Sequence, residues 1–341
     1  MEGARPCLIA VVSALMLSAC SAPVPEASMP VPATATGAPA HPAGSPIALR
    51  VMTYNVLGGP VPDDWFTLIP RPELAPMARA PGVVDKLLLA DPDVAALQEF
   101  DADSDSAAWM QRQLPAYTWL RGPDNHALLV RASRFEVLAQ GDVRLNTAGE
   151  QGSVLDRYVD WARLRQRSSG RTLLVLNVHA HPWQTPEFAA VRALAIGRLV
   201  TALHSLDPGL AEPVVLLGDY NASSGEERPV YRDHLVELAA AGFVDAEQVA
   251  RRDTSDVPRA SSLNGMEAKV AGTRVAKVVR RSGMHIDYVW VPKGVQVESW
   301  GVLSGPGVRW RRIHGERVPQ WGGIIPSDHS PVVADLRFPR S

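Results

Sequence analysis

The sequence contains little cysteine. It has only two cysteines, Cys7 and Cys20, and both lie within the first twenty positions. The rest of the chain therefore holds no thiol, which excludes disulfide cross-links, a catalytic cysteine and cysteine-ligated zinc there. Stability must come from a buried core, and about 290 remaining residues are ample for one.

An excess of charge of one sign is also lacking. Lysine and arginine together number 34 and aspartate and glutamate 36, which gives a formal net charge of −2. No block of basic residues is present, so the sequence lacks the electrostatic footprint of a strong duplex nucleic-acid binder. A second long apolar run after the N-terminal one is absent as well, so we expect the body of the chain to be soluble.

The N-terminus carries a targeting pattern. Residues 8–17 are apolar but too few to span a bilayer as a helix. The segment Leu17-Ser18-Ala19-Cys20 places small residues before a cysteine and resembles the lipobox of bacterial lipoproteins. We expect residues 1–20 to be a lipoprotein signal peptide and Cys20 to carry the lipid that holds the exported protein on the bacterial cell envelope. An ordinary secretory signal cleaved nearby is the alternative.

Residues 21–46 separate this signal from the body. They are rich in proline, alanine, serine and threonine and nearly devoid of large apolar side chains. Such a segment cannot bury enough surface to offset its ordering entropy, so we expect a disordered tether. Residues 47–341 show no repeat and no second linker, and we expect them to form a single domain of a monomeric protein.

Short apolar runs alternate with helical patterns along this body. The spacing predicts helices over residues 82–90, over residues 188–203 after Thr185-Pro186, and over residues 229–241 before Gly242. The apolar runs of four to six residues are short enough to be buried strands.

Six polar clusters each adjoin one of these apolar runs. Four clusters follow their run and two precede it, so strands of opposite direction would bring all six to one rim. This predicts an α+β fold, a four-layer α/β/β/α sandwich of two mixed sheets with helices outside and a site at one end. The clusters are Tyr54-Asn55, Gln98-Glu99, Asn177-Val178-His179, Gly218-Asp219-Tyr220-Asn221, His285-Ile286-Asp287 and Ser327-Asp328-His329.

The acidic and amide members of these clusters suit a divalent metal. A phosphoester resists attack because it is anionic, so hydrolysis needs charge neutralised, water activated and the leaving oxygen stabilised. Mg²⁺ prefers carboxylate and water oxygens. Glu99, Asp219 and Asp328 supply carboxylates, and Asn55 and Asn221 supply neutral amides.

The histidines add proton-transfer groups. His179 and His329 can donate to a phosphate or accept a proton from water, and Asp287 can hold one imidazole in a chosen tautomer. His181 lies two residues after His179, where a zinc site is conceivable but a surface histidine at a strand end is favoured.

One strand-like segment leaves its role open. Arg157, Tyr158, Trp161 and Arg163 either line the cleft or simply pack on a strand, and the sequence favours plain packing.

In their order and spacing, the six clusters resemble the endonuclease/exonuclease/phosphatase superfamily, whose fold is that of deoxyribonuclease I. The resemblance runs from about Val51 to Leu336. Each motif alone is weak, but six in order are specific. The resemblance implies a Mg²⁺-dependent phosphoester hydrolase, with Mn²⁺ or Ca²⁺ as alternative ions.

The resemblance implies roles around the metal and the water. Glu99 would be the principal metal ligand, with Asn55 and Asp328 beside the ion. Asp219 would orient or deprotonate the attacking water, and Asn221 would contact the phosphate.

It implies roles for the remaining positions as well. His179 would stabilise the transition state, and His329, braced by Asp287, would act on the phosphate or the water. Asn177 and His285 would contact substrate, although similar proteins often carry arginine or lysine where His285 stands.

The substrate stays open at this point. A phosphodiesterase is favoured, and the candidate esters are extracellular DNA or RNA, a phospholipid or sphingomyelin-type headgroup, and a small phosphomonoester. A surface binding protein that keeps the fold without turnover is the alternative of another class.

Overall fold

The computed structural model describes residues 46–59, 74–153, 155–182, 185–223, 233–256, 262–263, 284–303, 308–313, 316–321 and 324–339. The predicted signal peptide with Cys20, and the predicted tether up to residue 45, lie outside the described residues. The first strand begins at Ile47, directly after the predicted tether.

Two six-stranded mixed sheets form the centre of the fold. The first has the strand order β11-β14-β1-β2-β4-β3, with β1 and β2 parallel and β14 antiparallel to β1. Its strands are β1 (Ile47–Asn55), β2 (Val94–Gln98), β3 (Tyr117–Gly122), β4 (His126–Arg131), β11 (Gln296–Val302) and β14 (Val332–Phe338).

The second sheet has the order β5-β6-β7-β8-β10-β9, with β7 and β8 parallel and β10 antiparallel to β8. Its strands are β5 (Phe135–Asn146), β6 (Arg157–Gln166), β7 (Thr172–His179), β8 (Val214–Asp219), β9 (Phe243–Asp245) and β10 (Asp287–Pro292). A separate two-stranded ribbon pairs β12 (Val308–Ile313) with β13 (Glu316–Trp321).

Alternating side chains of β1 show how the layers stack. Leu49 and Val51 belong to the apolar cluster shared by the two sheets, whereas Met52 and Tyr54 belong to the cluster on the outer face. Because successive residues of a strand point to opposite faces, one strand serves both layers.

Helices cover both outer faces. Helices α1 (Pro76–Ala90) and α2 (Asp105–Gln113) pack on the first sheet. Helices α3 (Pro186–Leu206) and α4 (Asp233–Ala240) pack on the second, and a short α5 (Ala246–Val249) follows β9. The predicted four-layer sandwich of two mixed sheets is therefore confirmed.

Helix ends follow the sequence signals, with one difference. Thr185 is the N-cap of α3 with Pro186 at its first position, and Gly242 adopts a φ of 92° just after α4. Helix α1 begins at Pro76 rather than at residue 82, because Pro81 is accommodated inside the helix instead of starting it. Residues 229–232 lie outside the described residues.

Among the described residues, α3 is long and apolar enough to cross a membrane by length and composition alone. Its apolar side chains Val191, Ala195, Leu199 and Leu203 are buried in the protein core against the second sheet. That burial accounts for its composition.

A polar contact fixes the two sheets to each other. Gln98 Nε2 at the end of β2 donates to Asn177 Oδ1 on β7 at 2.8 Å, and Asn177 Nδ2 donates to the carbonyl of Leu97 at 2.9 Å. Gln98 Nε2 also donates to the Thr53 hydroxyl of β1 at 3.1 Å. These buried hydrogen bonds hold the strand ends of both sheets in register.

Lys86 is a buried cation outside the rim. Its ammonium lies 5.3 Å from the centroid of the Tyr54 ring, and burial lowers the pKa of Lys86 to about 7 despite the opposing effect of Asp256. In the unfolded chain this lysine keeps its proton up to about pH 10.4. Between pH 7 and 10.4 the unfolded state therefore holds more protons than the folded state, so the free energy of unfolding rises with pH.

We expect Lys86→Met to raise the free energy of unfolding below pH 7 by about 4 kcal/mol and to remove this rise. Lys293→Met, at an exposed lysine, is the matched control. Denaturant unfolding at pH 6.5 and 9.5 measures both effects. Equal stability of Lys86→Met and the parent chain at both pH values would contradict the prediction.

Candidate active site

The strand directions bring the six polar clusters to one rim. β1, β2, β7 and β8 end there, whereas β10 and β14 begin there. Asp219 pairs with His179 in the parallel β7–β8 ladder and with Asp287 in the antiparallel β8–β10 ladder. An added Cβ at Gly218 would come within 2.0 Å of the Val178 carbonyl oxygen, so glycine is needed for this close approach of β7 and β8.

Asp219 lies at the centre of the rim and is almost fully buried. Its Oδ1 accepts from the Asn221 backbone N–H at 2.8 Å, and its Oδ2 accepts from Asn55 Nδ2 at 3.2 Å. The same Oδ2 lies 3.7 Å from His179 Nε2 and 3.8 Å from His329 Nε2. One carboxylate oxygen therefore faces both imidazoles.

Glu99 follows β2 in a left-handed conformation, with a φ of 54°. Its Oε1 accepts from Asn55 Nδ2 at 2.8 Å and lies 3.9 Å from His179 Nε2. The Glu99 side chain is 38% exposed, against 1% for Asp219, so it stands at the open side of the site.

Asn55 faces the two carboxylates with its amide nitrogen. Its oxygen accepts from the Leu57 backbone N–H at 3.1 Å. In this orientation Asn55 positions Glu99 and Asp219 as a donor, whereas a metal ligand would have to offer its amide oxygen.

His329 is held through its ring and through its backbone. Its Nδ1 lies 3.0 Å from Asp287 Oδ2, and its backbone N–H donates to the Ser327 hydroxyl at 3.1 Å. The Ser327 hydroxyl in turn donates to the carbonyl of Asn55 at 2.7 Å. Since a carboxylate only accepts, Nδ1 carries the proton toward Asp287 and Nε2 points toward Asp219.

His179 has a different partner. Arg157 Nη1 lies 3.4 Å from His179 Nδ1 and also donates to both carboxylate oxygens of Asp124, at 3.0 and 2.9 Å. A guanidinium only donates, so His179 Nδ1 is the acceptor and Nε2 carries the proton toward Glu99 and Asp219.

The pKa values of the two histidines are shifted in opposite directions. Burial lowers the pKa of His179 well below its usual range, and the positive charge of Arg157 adds to this. Burial also disfavours a charged His329, but the carboxylates of Asp287 and Asp328 outweigh it and raise the pKa of His329 well above its usual range. At neutral pH the rim therefore presents one neutral imidazole and one imidazolium.

The carboxylates at the rim repel one another. Burial, followed by the charge of Asp287, raises the pKa of Asp219 to about 7. Burial, followed by the charge of Asp328, raises the pKa of Glu99. Carboxylates that repel one another at close range, as at this rim, are groups that a divalent cation would stabilise. Glu99 and Asp328 would hold such an ion, with Asp219 facing the attacking water.

Two residues that the sequence analysis missed support this rim. Arg79 on α1 is buried and donates to the carbonyls of Val56 and Pro326 at 3.1 and 2.9 Å, which ties the segment after Asn55 to the segment before Asp328. Asp124, the partner of Arg157, lies in the turn between β3 and β4 with a φ of 59°. Neither residue adjoins a polar cluster of the sequence.

More buried polar residues lie behind Asp124. His126 is fully buried, and its Nδ1 lies 3.2 Å from Asp160 Oδ2. The His126 and His179 ring centroids are 5.8 Å apart. Asp124, His126 and His179 could also group around an ion, but the Arg157 guanidinium already lies against Asp124 and His179.

The remaining residues of the predicted site are placed differently. Asn221, with a φ of 51°, donates its side-chain amide to the carbonyl of Ala180 at 3.0 Å. Asn177 is buried between the sheets, where its amide is engaged by Gln98 and Leu97. The structure thus places Asn177 beneath the rim rather than on its surface.

His285 faces away from the carboxylates around Asp219. Its ring packs edge-on against Tyr288 and Trp300, with centroids 4.4 and 5.5 Å apart, and its Nε2 faces Glu247 and Asp245. His181 does not join His179, because its ring stacks on Phe188 at 4.3 Å. Tyr158 accepts from Arg144, and Arg163 pairs with Glu212, so of these strand residues Arg157 reaches the site.

Fold and rim together define a phosphoester hydrolase of the deoxyribonuclease-I-like class. A model of the Endonuclease/Exonuclease/phosphatase family matches residues 52–329. The chain belongs to this family, which consists of divalent-metal-dependent phosphoester hydrolases.

Individual relatives are distant. Nocturnin from Xenopus laevis is 24% identical over 314 residues, which cover 86% of this chain and 73% of nocturnin. An endonuclease/exonuclease/phosphatase family protein from Bacteroides thetaiotaomicron superposes with a TM-score of 0.65 at 20% identity, covering 87% of this chain and all of that one. A mannosyl-6-phosphatase from the same species superposes with a TM-score of 0.63 at 20% identity, covering 84% and 99%.

Proposed function

We propose that this protein is a Mg²⁺-dependent phosphodiesterase displayed on the bacterial cell envelope, with Mn²⁺ or Ca²⁺ as possible substitutes. The observation that carries the proposal is the geometry at Asp219, whose Oδ2 lies 3.7 Å from His179 Nε2 and 3.8 Å from His329 Nε2. Phosphoryl transfer needs a base, a donor to the phosphate and neutralised charge in one place. The rim supplies all three.

Each side chain has a distinct task in this mechanism. A bound divalent ion would neutralise the phosphate and stabilise the leaving oxygen. Asp219, held in place by the Asn221 backbone N–H and the Asn55 side chain, orients the attacking water and accepts its proton. His179 donates through Nε2–H to a phosphate oxygen, while the His329 imidazolium stabilises the growing negative charge. Asp287 and Arg157 fix the two rings.

Hydrolysis of bis(4-nitrophenyl) phosphate tests the proposal. We expect release of nitrophenol that requires Mg²⁺ and stops on its removal with a chelator. Plasmid DNA, RNA, sphingomyelin and small phosphoesters, each with Mg²⁺, Mn²⁺ and Ca²⁺, then define the ester. No turnover of any substrate with any ion would favour the catalytically silent binding protein instead.

A small phosphomonoester is the second candidate substrate. One structural neighbour is a mannosyl-6-phosphatase, and the formal net charge of −2 gives this chain no strong attraction for a polyanion. A kcat/KM for mannose 6-phosphate above that for bis(4-nitrophenyl) phosphate would make the protein a phosphomonoesterase.

The envelope location rests on the lipobox at Cys20. We expect Cys20→Ser to move the protein from the membrane to the soluble fraction, because a lipid chain is then not attached. Immunoblotting of the fractions measures this, and Cys7→Ser, at the other cysteine, is the control. Unchanged membrane partition of Cys20→Ser would contradict lipidation at this residue.

Arg157 provides a test of the histidine geometry. We expect Arg157→Gln to lower kcat by about 10- to 100-fold with a smaller change in KM, because His179 loses the donor that fixes its tautomer. Arg163→Gln is a matched control on the same strand, since Arg163 pairs with Glu212 instead. An unchanged kcat in Arg157→Gln would show that Arg157 does not position His179.

A further inference from the structure

A second group of metal-binding side chains lies at the edge of the second sheet. It is formed by Asp245 at the end of β9, Glu247 in α5 and His285, two residues before β10. His285 Nε2 lies 3.4 Å from Glu247 Oε2 and 3.9 Å from Asp245 Oδ2, and the three ligand atoms all lie within 4.8 Å of one another.

The imidazole of His285 is buried without a hydrogen bond among the described residues. The residue is 4% exposed, and neither ring nitrogen makes a hydrogen bond among the described residues. Its ring is fixed by edge-on contacts with Tyr288 and Trp300. A buried imidazole held in place toward two carboxylates needs something to satisfy its nitrogen.

The spacing fits an ion better than direct hydrogen bonds. Hydrogen bonds between nitrogen and oxygen are about 2.7–3.2 Å long. Ligand atoms that share a tetrahedral zinc ion at about 2.1 Å are about 3.4 Å apart, close to the separations of His285 from Glu247 and Asp245.

The ligand types also indicate the ion. One imidazole and two carboxylates form a three-ligand set, which Zn²⁺ completes with a water, whereas Mg²⁺ and Ca²⁺ prefer oxygen ligands throughout. Asp245 is already oriented, because its Oδ1 accepts from the Glu247 backbone N–H at 3.0 Å and its Oδ2 faces His285. Such an outer contact is typical of a metal ligand.

We propose that Asp245, Glu247 and His285 form a zinc site that is separate from the catalytic rim. The ion would join β9 and α5 to the segment that leads into β10. β10 begins with Asp287, the residue that holds His329. The zinc would therefore support the active site from outside without touching substrate.

Zinc titration of a chain with an impaired catalytic rim tests this. In the full chain carrying Asp219→Ala and His329→Ala, we expect one Zn²⁺ to bind per molecule and to raise the melting temperature. Adding Glu247→Gln, which keeps the size of the side chain, should weaken zinc binding at least tenfold. Glu298→Gln is the matched control, because Glu298 pairs with Arg251 outside the cluster.

Isothermal calorimetry gives the stoichiometry and the affinity. X-ray absorption at the zinc edge of the Asp219→Ala/His329→Ala chain should show one imidazole nitrogen with oxygens at about 2.0–2.1 Å, and this measurement does not depend on the folding of the Glu247 variant. Three results would each overturn the proposal: no zinc binding, a zinc affinity unchanged by Glu247→Gln, or a zinc environment without imidazole. His285 would then be an ion-pair partner of the two acids.

Discussion

Replacing Asp219 by asparagine should lower kcat for phosphodiester hydrolysis by about 10³-fold, the scale of a lost general base. Asparagine keeps the size of the side chain, and its oxygen still accepts from the Asn221 backbone N–H. It cannot accept a proton from water, and it removes the carboxylate oxygen that faces His179 and His329. Steady-state kinetics with bis(4-nitrophenyl) phosphate and Mg²⁺ measures the loss.

The same substitution should stabilise the metal-free fold. Since the pKa of Asp219 is raised to about 7 in the folded protein, the folded state holds more protons than the unfolded state between pH 3.9 and 7. Stability contributed by this residue therefore falls as pH rises through that window and stays low above pH 7. We expect the melting temperature of Asp219→Asn to exceed that of the parent at pH 8 and to match it near pH 4.

Asp335→Asn is the control for both measurements. Asp335 accepts from Ser299 and Arg50 on the first sheet and is no part of the rim. A parent-like kcat for Asp219→Asn, or a melting temperature below the parent at pH 8, would contradict the assigned role and charge of Asp219.

Replacing Glu99 by alanine should abolish the metal dependence of activity and reduce kcat/KM by about 10³-fold, since metal-ion catalysis contributes several kcal/mol to the transition state. Both Glu99 and Asp219 contact Asn55 and lie near His179, and the Glu99 side chain is the more exposed of the two. In the parent we expect Mg²⁺ to raise the melting temperature through binding to the folded state, and in Glu99→Ala we expect that rise to be lost.

Glu136→Ala provides the comparison, because Glu136 is an exposed glutamate that pairs with Arg165 on the neighbouring strand. Thermal unfolding with and without Mg²⁺, together with kinetics, distinguishes a lost ligand from a damaged fold. Full Mg²⁺-dependent activity in Glu99→Ala would remove Glu99 from the metal site.

The sequence predicted the rim because its signal is local. A polar residue at the end of an apolar run is visible in a few neighbouring positions, as with Asp219 after β8, and strand direction then decides which edge it occupies. The two mixed sheets and their helices followed from the same runs.

The residues that support the rim from behind could not be predicted, because their contacts join positions that are far apart in the sequence. Arg157 reaches Asp124 across 33 positions, and Arg79 reaches Pro326 across 247. Nothing in the local sequence of Asp124 distinguishes it from an ordinary turn residue. For His285, the adjoining Asp287 suggested the rim, yet the ring turns toward Glu247, whose proximity arises only when β9 pairs with β10.

The hydrogen bond between Gln98 and Asn177 has a consequence for inactivation. Glu99 and Asn55 extend from one sheet, and His179 and Asp219 from the other, so the site is complete only while the two sheets keep their alignment. Misplacing reacting groups by about 1 Å can lower a rate by about 10²-fold. We therefore expect turnover to respond to a weakened contact between the sheets before the secondary structure does.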